Sequence, residues 1–187
     1  NEFLYFGLGR EGNNTVLPES PLFKDDYRGR WARHDAEQAA RLLDQIGLTG
    51  RDDDDIRLLP DGRPLILVVE TAGEQSEQVD ALELIEQDWR EIGVKLLIKP
   101  SHRHSLRARV SAGQTVMSVW SGLENGVPTA AMNPAALAPS SSIDLHWPSW
   151  GLHEESAGQS GQAADLPAVR ELLDLKGAWL RATEEDE

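Results

Sequence analysis

The residue types best suited to chemistry crowd the middle of the chain. His102-Arg103-His104 sets two imidazoles around a guanidinium. On a helix, positions i and i+2 point about 200° apart, so the rings diverge. In an extended segment they share a face and suit a metal ion, or a metal-dependent or other hydrolase working with carboxylates. The alternative is a pair of solvated histidines at a helix start, capped by Ser101. His146 beside Trp147 allows ligand contact or plain packing, and the sequence favours neither. Asp52-Asp53-Asp54-Asp55 offers four carboxylates. Calcium loops space their oxygens at alternate positions around a central glycine, and four adjacent acids cannot all turn to one ion. A solvated loop is the expectation there. No Gly-x-Ser-x-Gly elbow and no Ser-x-x-Lys occurs. Gly7-Leu8-Gly9 lacks a third glycine opening a helix, so it reads as loop and not as a dinucleotide fingerprint.

The most informative stretch is Met117-Ser118-Val119-Trp120-Ser121-Gly122-Leu123-Glu124-Asn125-Gly126. A buried strand ends in Trp120 and opens into a polar loop containing glycine. In open α/β sheets, ligands lie outside the carboxyl ends of strands. Trp120 would supply a broad face and one donor, with Glu124 an acceptor and Asn125 a two-way amide. The candidate ligand-binding set is Trp120, Ser121, Gly122, Glu124 and Asn125. The competing reading is a core tryptophan followed by an ordinary turn.

Composition narrows the partners. The chain has 187 residues, with 32 Asp plus Glu against 18 Lys plus Arg, for a formal net charge of −14. Nucleic-acid phosphates need cations, and an anionic membrane surface repels such a chain. There is no cysteine, which excludes disulfides, thiolate metal sites and thiol nucleophiles. No apolar run approaches the ~20 residues of a membrane span. No cofactor is expected. The chain starts at Asn1 without a signal segment and stops at Glu187 just past an amphipathic stretch. A piece of a longer protein is the expectation.

These residues must be positioned by a small α/β framework. Glu2–Phe6 reads as a short strand, and 1–33 as an irregular leading segment. A helix over 35–47 opens at Asp35 as N-cap, with an apolar stripe of Ala39, Leu42, Leu43 and Ile46, and closes at Gly47. Pro60-Asp61-Gly62 turns a hairpin. Leu65–Val69 is an apolar run without alternation, a strand buried on both faces that stops at Glu70. A helix over 75–92 and a strand over 94–98, ended by Pro100, complete a β-α-β unit with parallel strands. A helix over 103–112 turns Leu106 and Val110 inward, and a strand follows over 115–120. Residues 121–165 read as a long irregular segment. A helix from 166 to 182 follows, capped by Asp165 with Pro167 in its first turn. The fold class is α/β, a small mixed sheet flanked by helices.

The order of these pieces resembles a known family. Asp35-Ala36-Glu37-Gln38-Ala39-Ala40-Arg41-Leu42-Leu43-Asp44-Gln45-Ile46-Gly47-Leu48 precedes Leu59-Pro60-Asp61-Gly62-Arg63-Pro64-Leu65. Trp89-Arg90-Glu91-Ile92-Gly93-Val94-Lys95-Leu96 and Trp120-Ser121-Gly122 follow. Over about residues 13–122 this is similar to the family 5 extracellular solute-binding proteins of bacterial ABC importers. The resemblance implies one lobe, the second, of a type II periplasmic-binding-protein-like fold, with 1–33 near the hinge. It implies a periplasmic or extracellular binding protein that captures a peptide or other small solute in an interlobe cleft. It implies an ABC transporter permease as partner, a monomer, and no enzyme activity. In the oligopeptide binders a tryptophan at the Trp120 position packs by the ligand, and an aspartate three residues later pairs with the peptide amino terminus. Here that position is Leu123, with Glu124 adjacent, and Asn125-Gly126-Val127-Pro128 replaces an Asp-Pro pattern. A register shift would let Glu124 serve; otherwise a different ligand class follows. The rival classes are the hydrolase using His102 and His104, and a protein-interaction domain whose contact surface is 121–165.

Overall fold

The computed structural model describes residues 2–73, 76–120 and 137–182. In chain order its elements are α1 (Glu2–Tyr5), α2 (Asp25–Gly29), α3 (Ala36–Gln45), β1 (Ile66–Ala72), α4 (Ser76–Glu91), β2 (Lys95–Ser101), α5 (Arg103–Ser111), β3 (Met117–Ser118), α6 (Pro148–Glu155) and α7 (Pro167–Arg181). Contacts divide the chain into two compact units. One comprises Asn1–Asn13, Gly29–Leu106 and Thr115–Trp120; the other comprises Asn14–Arg28, Arg107–Gln114 and Ser121–Glu187.

The first unit is built on the β1-α4-β2 crossover. β1 pairs in parallel with β2 from Ile66↔Lys95 to Ala72↔Ser101, and with β3 at Val69↔Met117 and Glu70↔Ser118. The order is β2-β1-β3, so the apolar run is the central strand. Val69, Leu82 and Leu96 form a buried cluster, with Leu67, Trp89, Ile98 and Val119 against it. Side chains alternate along a strand, so α4 covers the Val69 side of the sheet. The expected mixed sheet is a parallel one: the three described strands are joined by helical crossovers and not by hairpins, and among the described residues antiparallel pairing is confined to the isolated bridges Arg51↔Arg57 and Leu58↔Pro64. The second bridge belongs to the expected Pro60-Asp61-Gly62 hairpin.

Several local readings are corrected. Glu2–Phe6 is not a strand; residues 2–5 turn as α1, and the Tyr5 hydroxyl hydrogen-bonds Glu77 near the start of α4, which raises the Tyr5 pKa. β1 does not stop at Glu70 but runs through Ala72. β2 passes through Pro100, which an edge strand tolerates because its outer N–H needs no ladder partner. β3 is only two residues long and exposed, not buried, because it lies at the edge of the described sheet. Asp35 does cap α3, accepting the Gln38 N–H at 2.8 Å. The α3 stripe is nevertheless open on one side, with Ile46 71% exposed.

Arg57 ties the helix ends of this unit together. Its side chain is 2% exposed. Nε donates to the Ile92 carbonyl just past α4 at 2.7 Å. One guanidinium nitrogen donates to Asp44 Oδ1 at 2.5 Å and to the Leu48 carbonyl, and the other to Ala40 O at 3.2 Å. The Leu48 and Ile92 carbonyls lie past the ends of α3 and α4, where the chain offers no intrahelical donor, so one cation serves both helix ends. The Asp52–Asp55 stretch is a turn: Asp52 Oδ1 accepts the Asp54 and Ile56 N–H groups.

In the second unit, α6 occupies part of the expected irregular segment, a correction explained by Pro148, whose fixed φ and missing N–H suit a first helical turn. Ser142 donates its backbone N–H and its hydroxyl to Glu155 Oε2 at 3.0 and 2.7 Å. These bonds hold the Glu155 carboxyl below its ordinary value. The α7 N-cap is Leu166 and not Asp165, without a side-chain cap. Val169 is its buried anchor.

Candidate functional site

The candidate site lies at the carboxyl ends of the parallel strands, on the sheet face opposite α4. Two observations fix that face. Val119 packs into the α4-side cluster, so its neighbours Ser118 and Trp120 stand on the other side. Register then places Glu70 beside Lys99 and Ser118, and Ala72 beside Ser101. Val119 N–H donates to Glu70 O at 2.9 Å, which carries the ladder one residue beyond β3 towards Trp120.

Trp120 is half-buried. The Arg103 guanidinium lies 5.4 Å from its ring centroid, within cation–π range. Arg103 opens α5, so the helix start brings it over the strand end. Glu70 is 3% exposed and sits 3.6 Å from the half-exposed Lys99 ammonium. Ser101 ends β2 with Oγ buried and without a hydrogen-bond partner. Ser101 therefore does not cap α5, contrary to expectation.

Of the expected ligand-binding set, Trp120 stands at this strand end; Ser121, Gly122, Glu124 and Asn125 lie outside the described residues. His102 immediately precedes α5 and His104 lies in its first turn, and both are exposed. Among the described residues no group of three or more His, Cys, Asp or Glu could hold a metal ion. His146 belongs to the other unit, where Nδ1 meets Asp144 Oδ1 at 2.6 Å and the ring lies tilted, 5.9 Å from that of Trp147.

Sequence reasoning missed Glu70, Lys99 and Arg103. A signal was available: residues 92–123 contain no Asp or Glu, yet hold Lys95, Lys99, Arg103, Arg107 and Arg109. An aromatic face, two cations, a hydroxyl and a buried carboxylate on one sheet face suit reversible polar binding.

The family model described as "Bacterial extracellular solute-binding proteins, family 5 Middle" matches residues 1–142. Comparison with curated proteins gives no match. Among solved structures the chain is similar to an oligopeptide-binding protein OppA, at 26% identity and TM-score 0.80, over 95% of this chain and 30% of that one. It is similar to NikA from Brucella suis, solved in complex with Fe(III)-EDTA, at 25% identity and TM-score 0.54, over 81% of this chain and 27% of that one. MelB of Agrobacterium fabrum C58, in complex with stachyose, shares the fold at 16% identity and TM-score 0.62, over 82% of this chain and 22% of that one. The chain thus spans under a third of the length of these proteins. No helix among the described residues is long and apolar enough to cross a membrane. With the matched segment covering most of its length, the chain belongs to the bacterial extracellular solute-binding proteins, family 5.

Proposed function

We propose that this chain is the second lobe of the substrate-binding component of a bacterial ABC importer. It would capture a peptide or other small polar solute in a cleft closed by a partner lobe, and present it to the importer's permease. Its place is periplasmic or extracellular, and it acts as a monomer, by reversible binding and without catalysis. Trp120 packs against the solute, with Ser121, Gly122, Glu124 and Asn125 completing the contact. The family match over residues 1–142 carries this reading. The half-buried Trp120 at the end of a parallel strand supports the site. The relatives range from an oligopeptide-binding protein to complexes with a metal chelate and with an oligosaccharide, so the solute class is decided by residues particular to this chain.

The test is solute binding by calorimetry on the two-lobed protein, before and after Trp120→Ala. A buried aromatic anchor is worth about 1–3 kcal/mol, so affinity should fall by that amount. Unchanged affinity removes Trp120 from the site, and stoichiometric zinc in the purified protein would favour a hydrolase using His102 and His104.

A further inference from the structure

We propose that the Lys99–Glu70 pair is an anion-receiving subsite beside Trp120, selecting solutes that carry a carboxylate. The inference rests on the solute-binding reading and deepens it.

The pair is asymmetric. Glu70 is 3% exposed and Lys99 49% exposed, at 3.6 Å. Charge-assisted hydrogen bonds close to about 2.7–2.9 Å, so the ammonium is attracted by the carboxylate without spending its donors on a tight bond. An arriving solute meets Lys99 first, and Glu70 lies beneath. Arg103 over Trp120 repeats the arrangement on the same face: an exposed cation held by a less exposed partner. In both cases the cation is the outer group, so the complementary ligand group is an anion.

The surrounding charge agrees. The chain carries a net −14, and a general electrostatic field of that sign repels anions. Residues 92–123 depart from it, with five Lys or Arg and no acid. Of these, Lys95, Lys99 and Arg103 lie in the same compact unit as the site. A half-buried pair is screened less by salt than a surface one. Glu70 is thus a positioning residue: its carboxylate, 3.6 Å away, holds the Lys99 ammonium over the sheet.

The test is a nuclear magnetic resonance titration of the two-lobed protein, following the Trp120 indole N–H. Three probes are used: N-acetyl-trialanine as the free acid, the same peptide as its carboxamide, and the neutral sugar stachyose. The acid should bind about tenfold more tightly than the amide, as expected for one added charge-assisted contact. Lys99→Met should bring the acid-to-amide ratio close to one, and Lys99→Arg should keep it. Glu70→Gln should lower the ratio while far-ultraviolet circular dichroism stays unchanged. Equal binding of acid and amide overturns the inference, as does a ratio that survives Lys99→Met. A ratio unmoved by Glu70→Gln overturns the positioning role. Perturbation of Trp120 by the amide or stachyose alone overturns the anion subsite and leaves the solute-binding reading standing. No perturbation by any probe overturns both.

Discussion

Arg57 shows what a single buried cation can do when its partners are helix ends. Its guanidinium serves Asp44 and the carbonyls of Ala40, Leu48 and Ile92. Removing it leaves the Leu48 and Ile92 carbonyls without donors, and each buried orphan costs about 1–3 kcal/mol. Arg57→Ala should therefore destabilise the chain by about 3 kcal/mol in urea unfolding. Asp44 is half exposed, so water can replace its partner, and Asp44→Asn should cost about 1 kcal/mol or less. Equal effects for the two variants would mean that the ion pair dominates, and not the carbonyl bonds. Nothing about Arg57 stood out in the sequence. It lies two residues after an acidic run and before a turn, a context that reads as surface. Burial follows from where the ends of α3 and α4 meet, a long-range fact. At the candidate site, by contrast, Trp120 was legible from its place after an apolar strand, whereas Glu70 was not. An acid at the end of an apolar run reads as a strand terminus, and only pairing with Lys99 and Ser118 keeps it inside.

At the scale of elements, α6 and α7 carry glycines with opposite demands. A Cβ on Gly151 would lie 2.1 Å from the Ser141 carbonyl oxygen, which is backbone and cannot move cheaply. A Cβ on Gly177 meets only the tip of the Arg181 side chain, at 3.3 Å. Gly177→Ala should raise stability by about 0.5–1 kcal/mol through helix propensity. Gly151→Ala should lower the melting temperature despite the same propensity gain, because α6 must move off the 141–142 backbone. The pH response of this region has a definite sign. Glu155 has a folded pKa below its ordinary 4.5 because the Ser142 N–H and hydroxyl favour the carboxylate. Its contribution is present above the ordinary value and fades as pH falls through the lower folded value. Ser142→Ala keeps the backbone N–H and removes only the hydroxyl bond, so it should flatten that part of the stability–pH curve by less than half, measured by thermal unfolding between about pH 6 and 3. Most element types were legible from periodicity, since α3, α4, α5 and α7 each follow an apolar pattern between caps or glycines. The ends were less so. β1 outran its apolar run because backbone pairing continues through Glu70-Thr71-Ala72 wherever a neighbouring strand is present. Residues 2–5 are apolar enough for a strand, but a strand requires a partner, and none is supplied there among the described residues.

For the whole molecule, charge is the dominant sequence property. With net charge −14, mutual repulsion opposes the compact state and salt screens it. The melting temperature should therefore rise as sodium chloride is increased from about 10 to 150 mM, the range over which the Debye length falls from about 30 to 8 Å. A fall would mean that local ion pairs outweigh the global repulsion. Sequence by itself determined the fold class, the β-α-β core, the absence of cysteine chemistry and the family, because each depends on local pattern or on the order of motifs. Tertiary structure alone decided which face of the sheet α4 covers, that Arg57 lies buried between helix ends, and that Lys99, Glu70 and Trp120 share one face. The reason is physical. Periodicity records how a side chain alternates along its own strand, whereas a site made from three strands depends on register between them, and register is set by packing across the sheet.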